Sequence, residues 1–260
     1  MPSFNDFDLN DWKNLDIYTD SLWLIPERDK TGKHNGFYHG NFIPQIPHQL
    51  ILRYSKKDEI IFDPFVGSGT TAFESENLNR NFIGIDIQEG LINYIKGKIN
   101  NQKNFLELIT DDSASEKTFD KVVKILEQHN KKTIQLAILH PPYADIIKFS
   151  NHKEDLSNCK SLREFLDNFA KVIKNTIKIL EKNRYLALIM GDKYTKGQWI
   201  PLGFYCMNKI QKLGLTLKSV IIKNIEGNRA KQNKEAIWKY RALANDYYIF
   251  KHEYIFIFKY

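Results

Sequence analysis

Cysteine is nearly missing from this sequence. Only Cys159 and Cys206 occur in 260 residues, with no CxxC spacing. That excludes a disulfide framework, argues against a structural zinc site, and suits a reducing compartment such as the cytoplasm. Long apolar runs are missing as well. No segment approaches the ~20 residues needed to span a bilayer, so no membrane association is expected. Met1-Pro2-Ser3-Phe4-Asn5-Asp6 holds an acid and no apolar stretch, which gives no ground for a signal peptide. Internal repeats and low-complexity tracts are absent. Acidic residues are the minority charge, 31 Asp+Glu against 38 Lys+Arg, for a formal net charge of +7. Such a balance suits a polyanionic partner, although an ordinary basic protein would show it too. Apolar residues make up 42% of the chain, enough for a core, and the length fits one larger domain or two small ones.

What is present is an alternation of apolar runs with amphipathic stretches. Its densest signal is Ile60-Ile61-Phe62-Asp63-Pro64-Phe65-Val66-Gly67-Ser68-Gly69-Thr70-Thr71. Apolar residues meet an acid, then a glycine-spaced turn, then a helix-like segment at 72–78. A buried parallel strand hands its chain to a helix across a ligand in this way. Glycine lets backbone approach a bound molecule, and a helix start offers unpaired N–H groups. The spacing fails the dinucleotide fingerprint and lacks the P-loop lysine. By itself such a turn needs no ligand.

The stretch Asp63-Pro64-Phe65-Val66-Gly67-Ser68-Gly69-Thr70-Thr71 resembles the S-adenosylmethionine-binding motif of the DNA amino-methyltransferases, the N4-cytosine and N6-adenine family. It fits that family's Asp-Pro-Phe-x-Gly-Ser-Gly-Thr-Thr pattern at every position. The resemblance implies S-adenosylmethionine as cofactor and a doubly wound, Rossmann-like α/β sheet. It also implies cofactor contacts from Asp63, Pro64, Phe65, Gly67, Ser68, Gly69, Thr70 and Thr71.

The flanking elements read consistently. Residues 1–40 are polar with scattered aromatics (Trp12, Tyr18, Trp23, Phe37, Tyr38), an extension that packs on the body or lines a cleft. Residues 41–260 form the main domain. Residues 21–26 read as a short strand. Phe42, Pro44 and the helix opened at Pro47 precede the glycine loop, where the family closes over the methionine end of the cofactor; a plain packing helix reads equally well. Asn81-Phe82-Ile83-Gly84-Ile85-Asp86-Ile87 is a second strand. Its Asp86 lies ~20 residues past the loop, where an acid accepts from a ribose diol. A third strand at 105–109 leads into Asp111-Asp112, with Asp112 a candidate acceptor for the cofactor's adenine amino group or simply part of a solvated turn. A helix at 120–129 is expected to bury Val122, Val123, Ile125 and Leu126. A fourth strand is expected at 134–139, an amphipathic helix at 162–180 and a fifth strand at 185–190. A helix at 202–213 and strands at 217–222 and 254–258 follow. The whole predicts about seven strands, mostly parallel, with one antiparallel edge strand.

The fourth strand ends in His140-Pro141-Pro142-Tyr143. This resembles the family's second hallmark, in which Asp, Asn or Ser precedes Pro-Pro-Tyr or Pro-Pro-Phe. An exocyclic amino nitrogen is a poor nucleophile, because its lone pair is delocalised into the base. Acceptors aimed at its hydrogens turn that lone pair outward. The Pro141 carbonyl and the side chain at 140 are the two candidate acceptors, and Tyr143 offers a flat surface for an extruded base. Position 140 departs from the family in carrying histidine. Neutral imidazole accepts one hydrogen bond and imidazolium none, so activity is expected to fall as pH drops through the histidine pKa. The substitution removes the usual clue to adenine or cytosine.

Double-stranded DNA is the expected partner, with a companion restriction endonuclease or a second copy of the chain as further candidates. A basic insert at 225–246 carries Arg229, Lys231, Lys234 and Arg241 among amides and aromatics. Lys193, Lys196 and Trp199 continue that character, the mix used for phosphate contact and stacking. His252-Glu253-Tyr254-Ile255-Phe256-Ile257-Phe258 resembles the family's final strand, so the likeness runs from about 42 to 258. The cofactor motif precedes the catalytic motif here, unlike the permuted members that most often carry this glycine loop. A site-specific DNA methyltransferase is the leading reading. An RNA amino-methyltransferase and a non-catalytic nucleic-acid-binding subunit are the alternatives.

Overall fold

The structure is a computed structural model that describes residues 4–38, 40–100, 103–143, 147–225 and 235–260. In chain order its elements are β1 (Leu22–Trp23), α1 (Gln45–Tyr54), β2 (Ile60–Asp63), α2 (Thr70–Asn77), β3 (Asn81–Asp86), α3 (Glu89–Lys96) and β4 (Leu106–Thr110). There follow α4 (Glu116–Gln128), β5 (Ile134–Leu139), α5 (Leu162–Ile179), β6 (Leu180–Met190) and a hairpin of β7 (Lys193–Thr195) and β8 (Gln198–Ile200). The chain ends with α6 (Leu202–Lys212), β9 (Thr216–Asn224), α7 (Glu235–Ala244) and β10 (His252–Lys259).

Eight strands form one sheet in the order β1-β9-β10-β6-β5-β2-β3-β4. All run in one sense except β10, which pairs antiparallel with both β6 and β9. The mostly parallel α/β sheet is therefore as expected, but the antiparallel strand is not at the edge. Its residues Tyr254–Phe258 are all buried, as a continuous apolar run requires when both faces are covered. The rim beyond it is β9, whose exposure alternates, and then the two-residue β1.

Consecutive residues of β2 enter opposite cores. Ile60 and Phe62 join α4, α5 and α6 residues on one face, whereas Ile61 joins α1, α2 and α3 residues on the other. That is the period-2 pleat of a strand covered on both sides. Helix α4 starts at Glu116, earlier than its apolar pattern suggests, because Ser115 adopts extended backbone just before it. Val122 and Leu126 are buried as expected and Ile125 is half-buried; Val123 is exposed, its step of about 100° from Val122 carrying it off the buried stripe. The β7–β8 hairpin turns on Lys196 and Gly197, both at positive φ, in the two-residue form that such hairpins favour.

The order of strands reverses between β2 and β5. β3 and β4 extend the sheet on one side of β2, and β5 and β6 on the other. Ligand crevices open at the C-terminal ends of strands at such a switch. Here those ends carry the glycine loop and the His140 turn.

The loop after β2 depends on Gly69, the residue before α2, with φ of +92°. A Cβ there would lie 2.8 Å from Ile95 Cγ1 and 3.2 Å from Phe73 Cζ. Gly69→Ala adds left-handed strain of about 1–2 kcal/mol and overpacking of about 1–3 kcal/mol. The expected loss of stability is therefore about 2–5 kcal/mol, read from the denaturant midpoint.

Candidate active site

A cavity of about 480 Å³ opens at the switch point, within the range of small-molecule sites. One wall is the glycine loop with Asp86 and Asp112. The turn from His140 to Tyr143, which closes the neighbouring strand β5, lines the same cavity as a second wall. Gly67 and Tyr143 therefore face a common space.

Burial and hydrogen bonding set the loop's shape. Asp63 is buried, and its carboxylate accepts from Phe65 N at 2.8 Å and Thr71 Oγ1 at 2.6 Å. Burial pushes its pKa up to about 7 against those two bonds. Asp63, Gly69, Thr71 and Pro44 stand behind the lining, where they shape the loop and the entry to α1; Pro64, Phe65, Gly67, Ser68 and Thr70 reach the cavity. Asn41, which also lines the cavity, clamps this loop, donating to Ser68 Oγ at 2.8 Å and accepting from Thr70 Oγ1. Sequence reasoning chose its neighbour Phe42 and missed Asn41, because an isolated asparagine carries no pattern.

Asp86 ends β3 and lines the cavity with Ile87. Its two oxygens accept from Gly67 N and Gln88 N, each at 2.9 Å. A carboxylate offers about four acceptor sites, so each oxygen keeps capacity for a hydroxyl. Burial lifts its pKa to about 6, opposed by those backbone bonds. Asp112 also faces the cavity, and burial raises its pKa. Its neighbour Asp111 is engaged by Lys121 Nζ at 2.6 Å. The roof comes from the N-terminal segment: Tyr38 Oη accepts from Gln88 Nε2 at 3.1 Å and its ring lies 5.9 Å from Phe149. These residues fit a nucleoside-bearing cofactor, with two carboxylates of unfilled acceptor capacity beside an apolar-walled glycine loop.

On the other wall, His140 is set edge-on to Phe42 at 4.9 Å and near-perpendicular to Tyr143. Burial, aided by the Lys223 ammonium, lowers its pKa to about 4 although Glu253 opposes this. The imidazole is thus neutral at pH 7. The acid limb that the sequence suggested lies well below the ordinary histidine range. Tyr143 Oη donates to Glu253 Oε2 at 3.2 Å and stands 3.2 Å from His140 Nε2; Glu253 Oε1 is 3.2 Å from Lys223 Nζ. Burial, then Glu253, raises the Tyr143 pKa, so the hydroxyl keeps its proton. Lys223 and Glu253 are register partners on β9 and β10 and both line the cavity. Neither was singled out from sequence. The available signal was a charge at the mouth of each apolar strand.

Of the expected nucleic-acid residues, Lys193, Lys196, Trp199 and Arg241 lie apart from the cavity lining. The hairpin bearing Lys193, Lys196 and Trp199 follows β6, and the helix bearing Arg241 precedes β10, so both stand at the cavity's end of the sheet. The hairpin meets the segment between that helix and β10 through Tyr194–Tyr247 and Trp199–Phe250 ring contacts at 4.5 and 4.2 Å. Trp199 Nε1 donates to Asp192 Oδ2 at 3.0 Å, and the Arg241 guanidinium lies 5.5 Å from the Trp238 ring centre. Residues 235–244 of the basic insert are helical. Arg229, Lys231 and Lys234 lie outside the described residues. Among the described residues no cluster of metal-ligating side chains occurs, and no helix is long and apolar enough to cross a membrane.

The fold resembles solved methyltransferases. TrmN from Thermus thermophilus superposes with a TM-score of 0.52 at 12% identity, over 84% of this chain and 49% of that one. Closer in sequence is the type II methyltransferase M.MjaII of Methanocaldococcus jannaschii, 32% identical over 131 residues, 44% of this chain and 24% of the relative. M2.LlaDCHI of Lactococcus lactis subsp. cremoris, also a type II methyltransferase, is 35% identical over 94 residues, 36% of this chain and 33% of the relative. The matched stretches thus span between a quarter and a third of these relatives. The profile described as DNA methylase matches residues 6–97 and 134–260, well over half of the sequence, and takes in the glycine loop, Asp86 and the His140–Tyr143 turn but not Asp112. The chain belongs to that N6/N4-type DNA methylase family, the S-adenosylmethionine-dependent class that its glycine loop and Pro-Pro-Tyr turn resemble.

Proposed function

We propose that this protein methylates DNA at the exocyclic amino group of adenine (N6) or cytosine (N4), within a restriction-modification setting. The observation that carries the proposal is the shared cavity, with the glycine loop on one wall and the His140–Tyr143 turn on the other. S-adenosylmethionine supplies an electrophilic methyl group on sulfur when bound. Asp86 would take its ribose hydroxyls and Asp112 its adenine amino group. The backbone from Gly67 to Thr70 and the Phe42 ring, which line the same cavity, would complete its seat. The His140 imidazole and the Pro141 carbonyl accept from the target amino group and turn its lone pair toward the methyl group. Pro142 stiffens that turn, and Tyr143 supports the extruded base. Catalysis then rests on positioning and preset dipoles. Lys193, Lys196, Trp199 and Arg241, with Arg229, Lys231 and Lys234, are the proposed contacts to the duplex.

Tritiated methyl transfer from S-adenosylmethionine to mixed DNA and to tRNA tests the reading. Incorporation into DNA alone is expected. Transfer to tRNA alone would make it an RNA enzyme, and cofactor binding without transfer would make it a silent subunit. Modification-sensitive sequencing of DNA from cells expressing the protein would then give the base and the site.

A further inference from the structure

His140, Tyr143, Glu253 and Lys223 form a continuous chain of polar contacts along one wall of the cavity, and proton counting fixes its direction. Tyr143 has one hydroxyl proton and two neighbours at 3.2 Å, Glu253 Oε2 and His140 Nε2. Glu253 is paired with Lys223 Nζ at 3.2 Å, and both side chains are buried, so the carboxylate is anionic and has no proton to give. The tyrosine proton therefore goes to Glu253. Were it given to His140 instead, the hydroxyl lone pairs would face a carboxylate. His140 Nε2 must carry hydrogen and donate to the Tyr143 oxygen, which leaves Nδ1 bare.

The ring that transmits this choice is held firmly. A Cβ at Gly191 would lie 2.8 Å from Tyr143 Cε2, so only glycine admits the ring there. Glu253 and Lys223 face each other across paired strands, which leaves the carboxylate little freedom to turn away.

Building on the proposed methyl transfer, we infer that Glu253 and Lys223 are positioning residues that act through Tyr143 to lock His140 in its Nε2–H tautomer, making Nδ1 the atom that accepts from the target amino group. As the N–C bond forms, the S–C bond breaks and its electron pair stays on sulfur. The amino nitrogen then sheds one proton, which Nδ1 takes and imidazolium passes to water. A weak base is enough for this, because losing the proton restores delocalisation into the nucleobase. A family member with Asp, Asn or Ser at this position has no tautomer to fix, so the relay matches the histidine found here.

Imidazole nitrogen NMR on the wild-type protein at pH 7 tests the lock without any substrate. The His140 signals are assigned by comparison with His140→Gln, since the chain has 7 histidines. The expected result is Nε2 protonated and Nδ1 bare, changing to a mixture of tautomers in Tyr143→Phe. Glu253→Gln should lower kcat roughly tenfold while leaving S-adenosylmethionine affinity unchanged, the scale of one charge-assisted hydrogen bond. A wild-type His140 protonated at Nδ1, or a tautomer indifferent to Tyr143→Phe, overturns the lock. The wild-type spectrum needs no variant to fold and no methyl to move, so its failure is distinct from an absence of DNA methylation.

Discussion

Replacing His140 with alanine should reduce kcat for methyl transfer by about a hundredfold or more, with S-adenosylmethionine affinity held close to wild type. The side chain's neighbours are the Phe42 ring and Tyr143, so its removal leaves the Asp86 and Asp112 carboxylates in place. What is lost is an acceptor set to meet a hydrogen of the target amino group. The Pro141 carbonyl remains and supplies the residual rate. His140→Asn restores an acceptor oxygen without the contact to Tyr143, so its rate should fall between the two. The pH profile separates this group from others. With burial holding the imidazole near 4, kcat at saturating cofactor should stay flat from pH 8 to about 5 and fall only as imidazolium forms. Single-turnover transfer on one DNA substrate gives all three rates. An alanine variant as fast as wild type would remove His140 from the reaction.

The walls of the cavity were legible in the sequence, and what links them was not. Asp63 to Thr71 and His140 to Tyr143 are contiguous, so each announces itself through local pattern, and the apolar runs of β2 and β5 show that both close a buried strand. Glu253 and Lys223 lie 30 residues apart on strands whose pairing no local pattern states. Their register puts them opposite each other, and only the fold brings them beneath Tyr143. Asn41 is similar: it reaches Ser68 and Thr70 because the N-terminal segment crosses the glycine loop. The inner place of β10 could have been inferred. Five consecutive buried apolar residues, Tyr254 to Phe258, suit a strand with neighbours on both sides better than a rim. The β7–β8 hairpin and α7 went unread because each is short or polar, and neither adds an apolar stripe to the main core.

Asp86→Ala should weaken S-adenosylmethionine binding by about a hundredfold or more, the largest effect expected on the cofactor side. Two hydroxyl bonds to a carboxylate contribute about 1.5–3 kcal/mol each, and about 1.4 kcal/mol is a factor of ten. The same substitution frees Gly67 N and Gln88 N, both now held at 2.9 Å, so the glycine loop loses its tie to β3 as well. Asp86→Asn keeps one acceptor oxygen and should fall between alanine and wild type. The carboxylate must be ionised to accept from both hydroxyls, and burial lifts its pKa to about 6. Affinity should therefore be level above pH 7 and fall below 6, approaching about tenfold per pH unit as the carboxyl protonates. Asp63, raised to about 7 by burial, titrates nearby but keeps both of its bonds within the loop. Calorimetry on Asp86→Asn distinguishes the two. Weak binding that no longer varies between pH 5 and 7 assigns the dependence to Asp86, whereas a variant that keeps the wild-type slope assigns it to Asp63 and the loop.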